Sequence, residues 1–181
     1  MTRAAIGFRA HSGWAAAVAV SVPPDPPAIV IRRRIEMGEP QPYHAAVNLE
    51  IAEARLLISR SAEHAAARAA DSLRRILDDL RALGHQPAAC GLLLASGRPL
   101  PALEKILASH ALVHTAEGVH FRAALRAAGQ ACGLPVFEFV ERDLALRPDL
   151  LALMAAMGKG IGPPWRQDQK FAAAAAWLAL G

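Results

Sequence analysis

Residues 4–20 read AAIGFRAHSGWAAAVAV. Two apolar runs flank a short polar stretch, and the fold is read outward from them. Ala4 to Phe8 is short and apolar and predicts a strand. Gly13 to Val22, rich in alanine and valine, predicts a second. Arg9, Ala10, His11 and Ser12 form a tight connection, and Gly13 suits turn geometry. The pair is expected to be a β-hairpin. Residues 23–27, PPDPP, must turn the chain, because proline cannot donate to a ladder. Ala28 to Glu36 carries Ile29, Val30, Ile31 and Ile35 and predicts a third strand, completing a meander. Its Arg32-Arg33-Arg34 run alternates faces, which favours an edge or a solvated face over a phosphate track.

After residues 38–42 the period becomes helical. From Tyr43 to about Leu83, Leu73, Ile76, Leu77 and Leu80 form one apolar stripe, with charged residues opposite. Ser59 or Ser61 is a candidate cap for a break inside this stretch, and Gly84 suits its end. Ala88 to Ala95 is uniformly apolar, as a strand buried on both faces of a parallel sheet would be. A turn at 96–99, a helix over 101–109, a short strand over 111–115 and a helix over 116–132 follow. A strand over 135–140, a helix over 148–157, a Gly/Pro loop over 158–164 and a helix from about Gln167 to Leu180 complete the chain. An antiparallel opening followed by alternating helix and strand implies a mixed α/β sheet with helices on both faces.

A chain of 181 residues fits a single domain, 1–181. Hydrophobic residues make up 54% of it, much of this alanine, which favours helix and close packing. No apolar run approaches the roughly 20 residues of a membrane helix, and no basic segment leads into a signal-type run. The expectation is a cytoplasmic protein without a membrane partner. Cys90 and Cys132 stand far apart, without zinc-finger spacing, and read as packed thiols. The net charge of +4 permits nucleic acid or a phosphorylated ligand without requiring either. The alanine-rich helices are equally compatible with packing inside one chain or in a homo-oligomer.

The opening resembles the ribonuclease H-like superfamily, in particular its Holliday-junction resolvases. Their first hairpin reads Ile-Gly-x-Asp and returns with Gly-Trp-Ala; Ile6-Gly7 and Gly13-Trp14-Ala15 fit. The order of elements fits over nearly the whole chain. The resemblance implies antiparallel pairing of the first two strands and parallel pairing of the first with the Cys90 strand. It also implies a first-strand carboxylate holding catalytic divalent metal, yet Arg9 stands at that position. The Cys90 strand ends without an acid; Asp168 suits the acid that opens the last helix. One carboxylate cannot hold the two metals of phosphodiester hydrolysis. Bound Mg²⁺ or Mn²⁺ is therefore not favoured.

Three polar clusters remain. The first holds Arg9, His11, Ser12 and Trp14; the second His114, Thr115, Glu117, His120 and Arg122; the third Trp165, Arg166, Asp168 and Lys170. His114 with Glu117 can serve as ligand or base, while Thr115 reads as a helix N-cap. His114, Glu117 and His120 do not share one helical face, so this segment alone does not make a zinc site. Pro163-Pro164-Trp165 makes a rigid entry into the last helix. The expectation is a degenerate ribonuclease H-like domain that binds or assembles without cleaving, contacting its ligand through Arg9, His11, Trp165, Arg166 and Lys170. The alternative is a metal-dependent phosphoesterase or nuclease with a rearranged site of His114, Glu117 and Asp168.

Overall fold

The computed structural model describes residues 2–23, 27–95 and 99–181. Residues 24–26 and 96–98, inside the turns expected at 23–27 and 96–99, lie outside these residues. Strands β1 (Thr2–Ala10), β2 (Trp14–Val22) and β3 (Ala28–Glu36) form the meander. Helices α1 (Pro42–Ala46) and α2 (Ile51–Ala82) lead to β4 (His85–Leu94). Then come α3 (Leu103–Leu107), α4 (His110–Ala131), β5 (Val136–Val140), α5 (Glu141–Ala145), α6 (Pro148–Met157) and α7 (Gln167–Ala179). The sheet order is β3-β2-β1-β4-β5. β1 pairs antiparallel with β2 and parallel with β4, as the resemblance implies.

Alternation along β1 builds two cores. Ala4, Ile6 and Phe8 face one way, onto α2 and α4 through Leu73, Ile76, Leu80, Phe121 and Leu125. Ala5 faces the other way, with Val18, Val20 and Leu93, onto α6 and α7. Gly7 and Gly91 are register partners on that second face. A Cβ on Gly7 would lie 1.8 Å from the Ala172 carbonyl oxygen, and one on Gly91 would lie 2.2 Å from that of Ala175. The backbone of α7 therefore rests on the backbone of the sheet. The buried run Ala172 to Ala176 makes this approach feasible, because no large side chain stands between the layers.

Three expectations are corrected. Residues 111–115 are not a strand; they lie in the first turns of α4. Ser109 caps that helix by accepting the Leu112 N–H, and the Thr115 hydroxyl donates to the Ala111 carbonyl inside it. Thr115 is thus not the cap. The Ala-Leu-Val run is too short for its periodicity to separate strand from helix. Second, the break before α2 falls at 47–50. Ser61 is mid-helix, its hydroxyl 3.1 Å from His120 Nε2. Third, α5 follows β5 directly where no helix was expected.

The arginine run lies on the edge strand β3. Arg32 donates to the carbonyls of Gly162 and Pro164, both at 2.7 Å. Arg33 pairs with Asp79 and Arg34 with Glu36. Cys90 and Cys132 are free, and burial pushes the Cys90 thiol up to about 12. No helix among the described residues is long and apolar enough to cross a membrane.

Candidate functional site

The parallel strands β1, β4 and β5 end at one edge of the sheet, where an open α/β sheet presents ligand sites. A cleft of about 500 Å³ opens there. Arg9 and His11 reach it from the β1 end, Arg122 from α4 and Glu141 from the β5–α5 junction. Asp168 joins them from the first turn of α7, through its contacts with Arg9 and His11.

Arg9 is the hub. Its Nη2 donates to Glu141 Oε1 at 2.6 Å and its Nε to Glu141 Oε2 at 3.0 Å, a two-pronged fork. Its Nη1 donates to Asp168 Oδ1. The same Asp168 oxygen lies 2.8 Å from His11 Nε2. The side chain of Arg9 is only 18% exposed, and its hydrogen bonds to Glu141 outweigh burial in holding the cation. Burial pushes the Asp168 carboxyl up, but hydrogen bonds from His11 and Arg9 outweigh it and hold the group below the usual carboxylate range. His11 stacks on Trp14 with ring centroids 4.2 Å apart, and the Arg34 guanidinium lies 4.0 Å from the Trp14 centroid. Trp14 is half-buried.

Arg122 differs from Arg9. Its Nε donates to the Leu93 carbonyl at 3.0 Å. Among the described residues it forms no ion pair, and burial lowers its pKa. A half-buried guanidinium beside an open cleft, near Glu141 but not in an ion pair with it, is suited to an anionic ligand.

Of the residues expected at the site, Arg9, His11 and Asp168 come together. Trp165 does not enter the cleft; its Nε1 donates to the Met154 carbonyl at 3.0 Å, and its ring lies against Gly158. Arg166 is the N-cap residue of α7, and its backbone N–H donates to Gln169 Oε1 at 2.9 Å. The backbone N–H of Lys170 closes the first turn onto the Arg166 carbonyl. His114 and Glu117 are not joined to Asp168. Glu117 is buried against α1, accepting the backbone N–H groups of Tyr43 and His44, and His114 Nε2 stands 3.0 Å from His110 Nε2. The grouping of His114, Glu117 and Asp168 in one site is therefore set aside, because the two helices hold them in separate clusters. Glu141 was missed, although an acid directly after the last apolar strand is placed at a strand end.

The donor set at the cleft does not fit a pair of divalent metals. A guanidinium occupies the β1 position, and both nearby carboxylates are hydrogen-bonded to it.

No family model matches the chain. No curated protein matches it either. Among solved structures, Thermus thermophilus RuvC in complex with a Holliday junction substrate is similar, with a TM-score of 0.57 at 12% identity. A second Thermus thermophilus RuvC structure gives a TM-score of 0.56, also at 12% identity. Each comparison covers 96% of this chain and 90% of the other. With its sheet order, its two packed faces and these comparisons, the chain has the ribonuclease H-like fold in a divergent form.

Proposed function

We propose that this chain is a non-cleaving domain that binds nucleic acid through the cleft at the ends of β1, β4 and β5. The observation that carries this reading is the Arg9 fork: one guanidinium engages both Glu141 and Asp168. A resident cation there repels Mg²⁺ and satisfies the carboxylates that would otherwise ligate it. The cleft then offers no place for the paired metals of two-metal phosphodiester hydrolysis.

Binding is supported by Arg122, whose guanidinium forms no direct ion pair among the described residues and borders the same cleft. A phosphate oxygen would meet a guanidinium there whose Nε is anchored on the Leu93 carbonyl and whose Nη groups are free to adjust. The Trp14–His11 stack adds a flat surface beside Asp168. The similar RuvC structure holds a Holliday junction substrate, so branched DNA is the first probe.

The test uses fluorescence anisotropy with labelled four-way-junction, duplex and single-stranded DNA, with a parallel cleavage assay in Mg²⁺ and in Mn²⁺. We expect salt-sensitive binding, weakened about 10-fold or more in Arg122→Ala, a loss within the span of a charge-assisted contact. No cleavage is expected in either metal. Cleavage by the wild type that disappears in Asp168→Asn would overturn the non-cleaving reading. Failure to bind any of the three DNAs would overturn the nucleic-acid reading.

A further inference from the structure

A second cluster lies on the helices beyond the sheet edge. His110 and His114 are one turn apart at the start of α4, and their Nε2 atoms stand 3.0 Å from each other. His44 arrives from α1, its ring centroid 4.6 Å from that of His114 and 5.7 Å from that of His110. One ring nitrogen from each of the three lies within 4.8 Å of the others. Two nitrogens bound to a tetrahedral zinc at about 2.05 Å stand about 3.3 Å apart. The His110–His114 pair is already close to that spacing, and a His44 nitrogen lies within 4.8 Å of both.

A separate observation concerns Glu117. It is 4% exposed, and its Oε1 accepts the N–H groups of Tyr43 at 2.8 Å and His44 at 3.0 Å. The same oxygen lies 3.2 Å from His44 Nδ1. A carboxylate only accepts, so His44 carries its proton on Nδ1 and keeps the Nε2 lone pair free for a ligand bond. A buried carboxylate behind a ligating histidine is the arrangement that fixes tautomer and ring orientation at metal sites. Glu117 Oε2 is buried and has no hydrogen-bond partner among the described residues. Its negative charge lies in a low-dielectric position where a dication beyond the imidazole would offset it.

We propose that His44, His110 and His114 form a binding site for Zn²⁺, with Glu117 as the positioning residue behind His44 and a fourth coordination position open to solvent. Three neutral imidazoles suit zinc and other imidazole-preferring first-row ions rather than Mg²⁺ or Ca²⁺. The site is distinct from the cleft: Arg122 lies eight residues, about 12 Å of helix axis, beyond His114 on α4. The ion would tie α1, only five residues long, to α4. A helix of that length has little stability of its own.

The experiment uses the untagged full chain, stripped with chelator and titrated with Zn²⁺ against a chromophoric competitor. Co²⁺ substitution is read by its visible absorption. We expect one saturable equivalent, a tetrahedral Co²⁺ spectrum and a rise in Tm with Zn²⁺. All three should be lost in His44→Ala, His110→Ala and His114→Ala, whose apo forms should keep the wild-type circular dichroism. Replacing the exposed His64 by Ala should change nothing. Glu117→Gln should weaken zinc about 10–100-fold. Because Glu117 is buried and that variant can lose the fold, the exposed His110 and His114 variants decide the outcome. Absence of saturable uptake by the wild type overturns the proposal. Undiminished uptake in His44→Ala also overturns it, leaving an adventitious pair of helix histidines.

Discussion

Replacing Gly7 by Ala sets two physical rules against each other. By propensity alone the change should help, since glycine inside a strand costs about 0.5–1 kcal/mol relative to alanine. The packing requires the opposite. The added Cβ would meet the Ala172 oxygen at 1.8 Å and the Ala176 nitrogen at 2.6 Å, both backbone atoms with no rotamer to yield. Ordinary contact begins near 3.4 Å, so α7 must lift by about 1.6 Å, the difference between 3.4 and 1.8. A gap of about 0.5–1 Å already forfeits a quarter to a half of a dispersion well. The lift would loosen the whole buried face from Phe171 to Ala176. We expect a loss of about 3 kcal/mol, at the upper end of the usual overpacking range. For a chain of this size that is a Tm decrease of about 6–12 °C, at about 2–4 °C per kcal/mol. Denaturant unfolding and calorimetry both read it. Gly118→Ala is the control, since the nearest atoms its Cβ meets belong to the movable end of Arg122, and stability should stay level or rise. A Gly7→Ala protein as stable as wild type, or more so, would refute the close docking of α7 on β1.

Further outcomes follow from the same contacts. Arg9→Ala leaves Glu141 and Asp168 without their shared cation; calorimetry should show weak Mn²⁺ binding that wild type lacks, with stability reduced by about 1–3 kcal/mol. Asp168, held below the usual range, contributes stability present above its unfolded value of about 3.9 and lost as pH falls through its lower folded value; Asp168→Asn should flatten that acid limb of the unfolding profile. His120 is pushed down by burial, so its imidazole should titrate below about 6.5 in a proton NMR series, and a higher midpoint would contradict its packing beside Tyr43. Arg32→Ala removes the clamp on residues 162–164, and amide exchange in that loop should quicken while the sheet stays protected.

Much of the fold was legible because the strands carry period-2 or fully apolar runs. The hairpin from Ala4, the β3 edge and the Cys90 strand all follow from side-chain pattern and turn chemistry. The 111–115 segment was not legible: its direction is decided by the Ser109 cap and the Thr115 hydroxyl, neither of which leaves a periodic trace. At the cleft, Arg9, His11 and Asp168 were legible from position, the first at a strand end, the second in the turn after it and the third at a helix start. Glu141 gained meaning only when β5 fell beside β4, and His44 only when α1 folded against α4. Contacts across such separations are set by tertiary packing, which local spacing does not encode.

The docking of α7 has a consequence for how the protein is made. β1 sits at the centre of the sheet, yet the helix that covers one of its faces is translated long after it. Until residues 167–179 leave the ribosome, Ala5, Val18, Val20 and Leu93 lack the cover that α7 gives them. The Arg9–Asp168 contact, spanning 159 positions, forms only when that cover is in place. An assembled cleft thus requires that α7 has been made and docked, and a chain interrupted before it would present an apolar sheet face to chaperones and proteases.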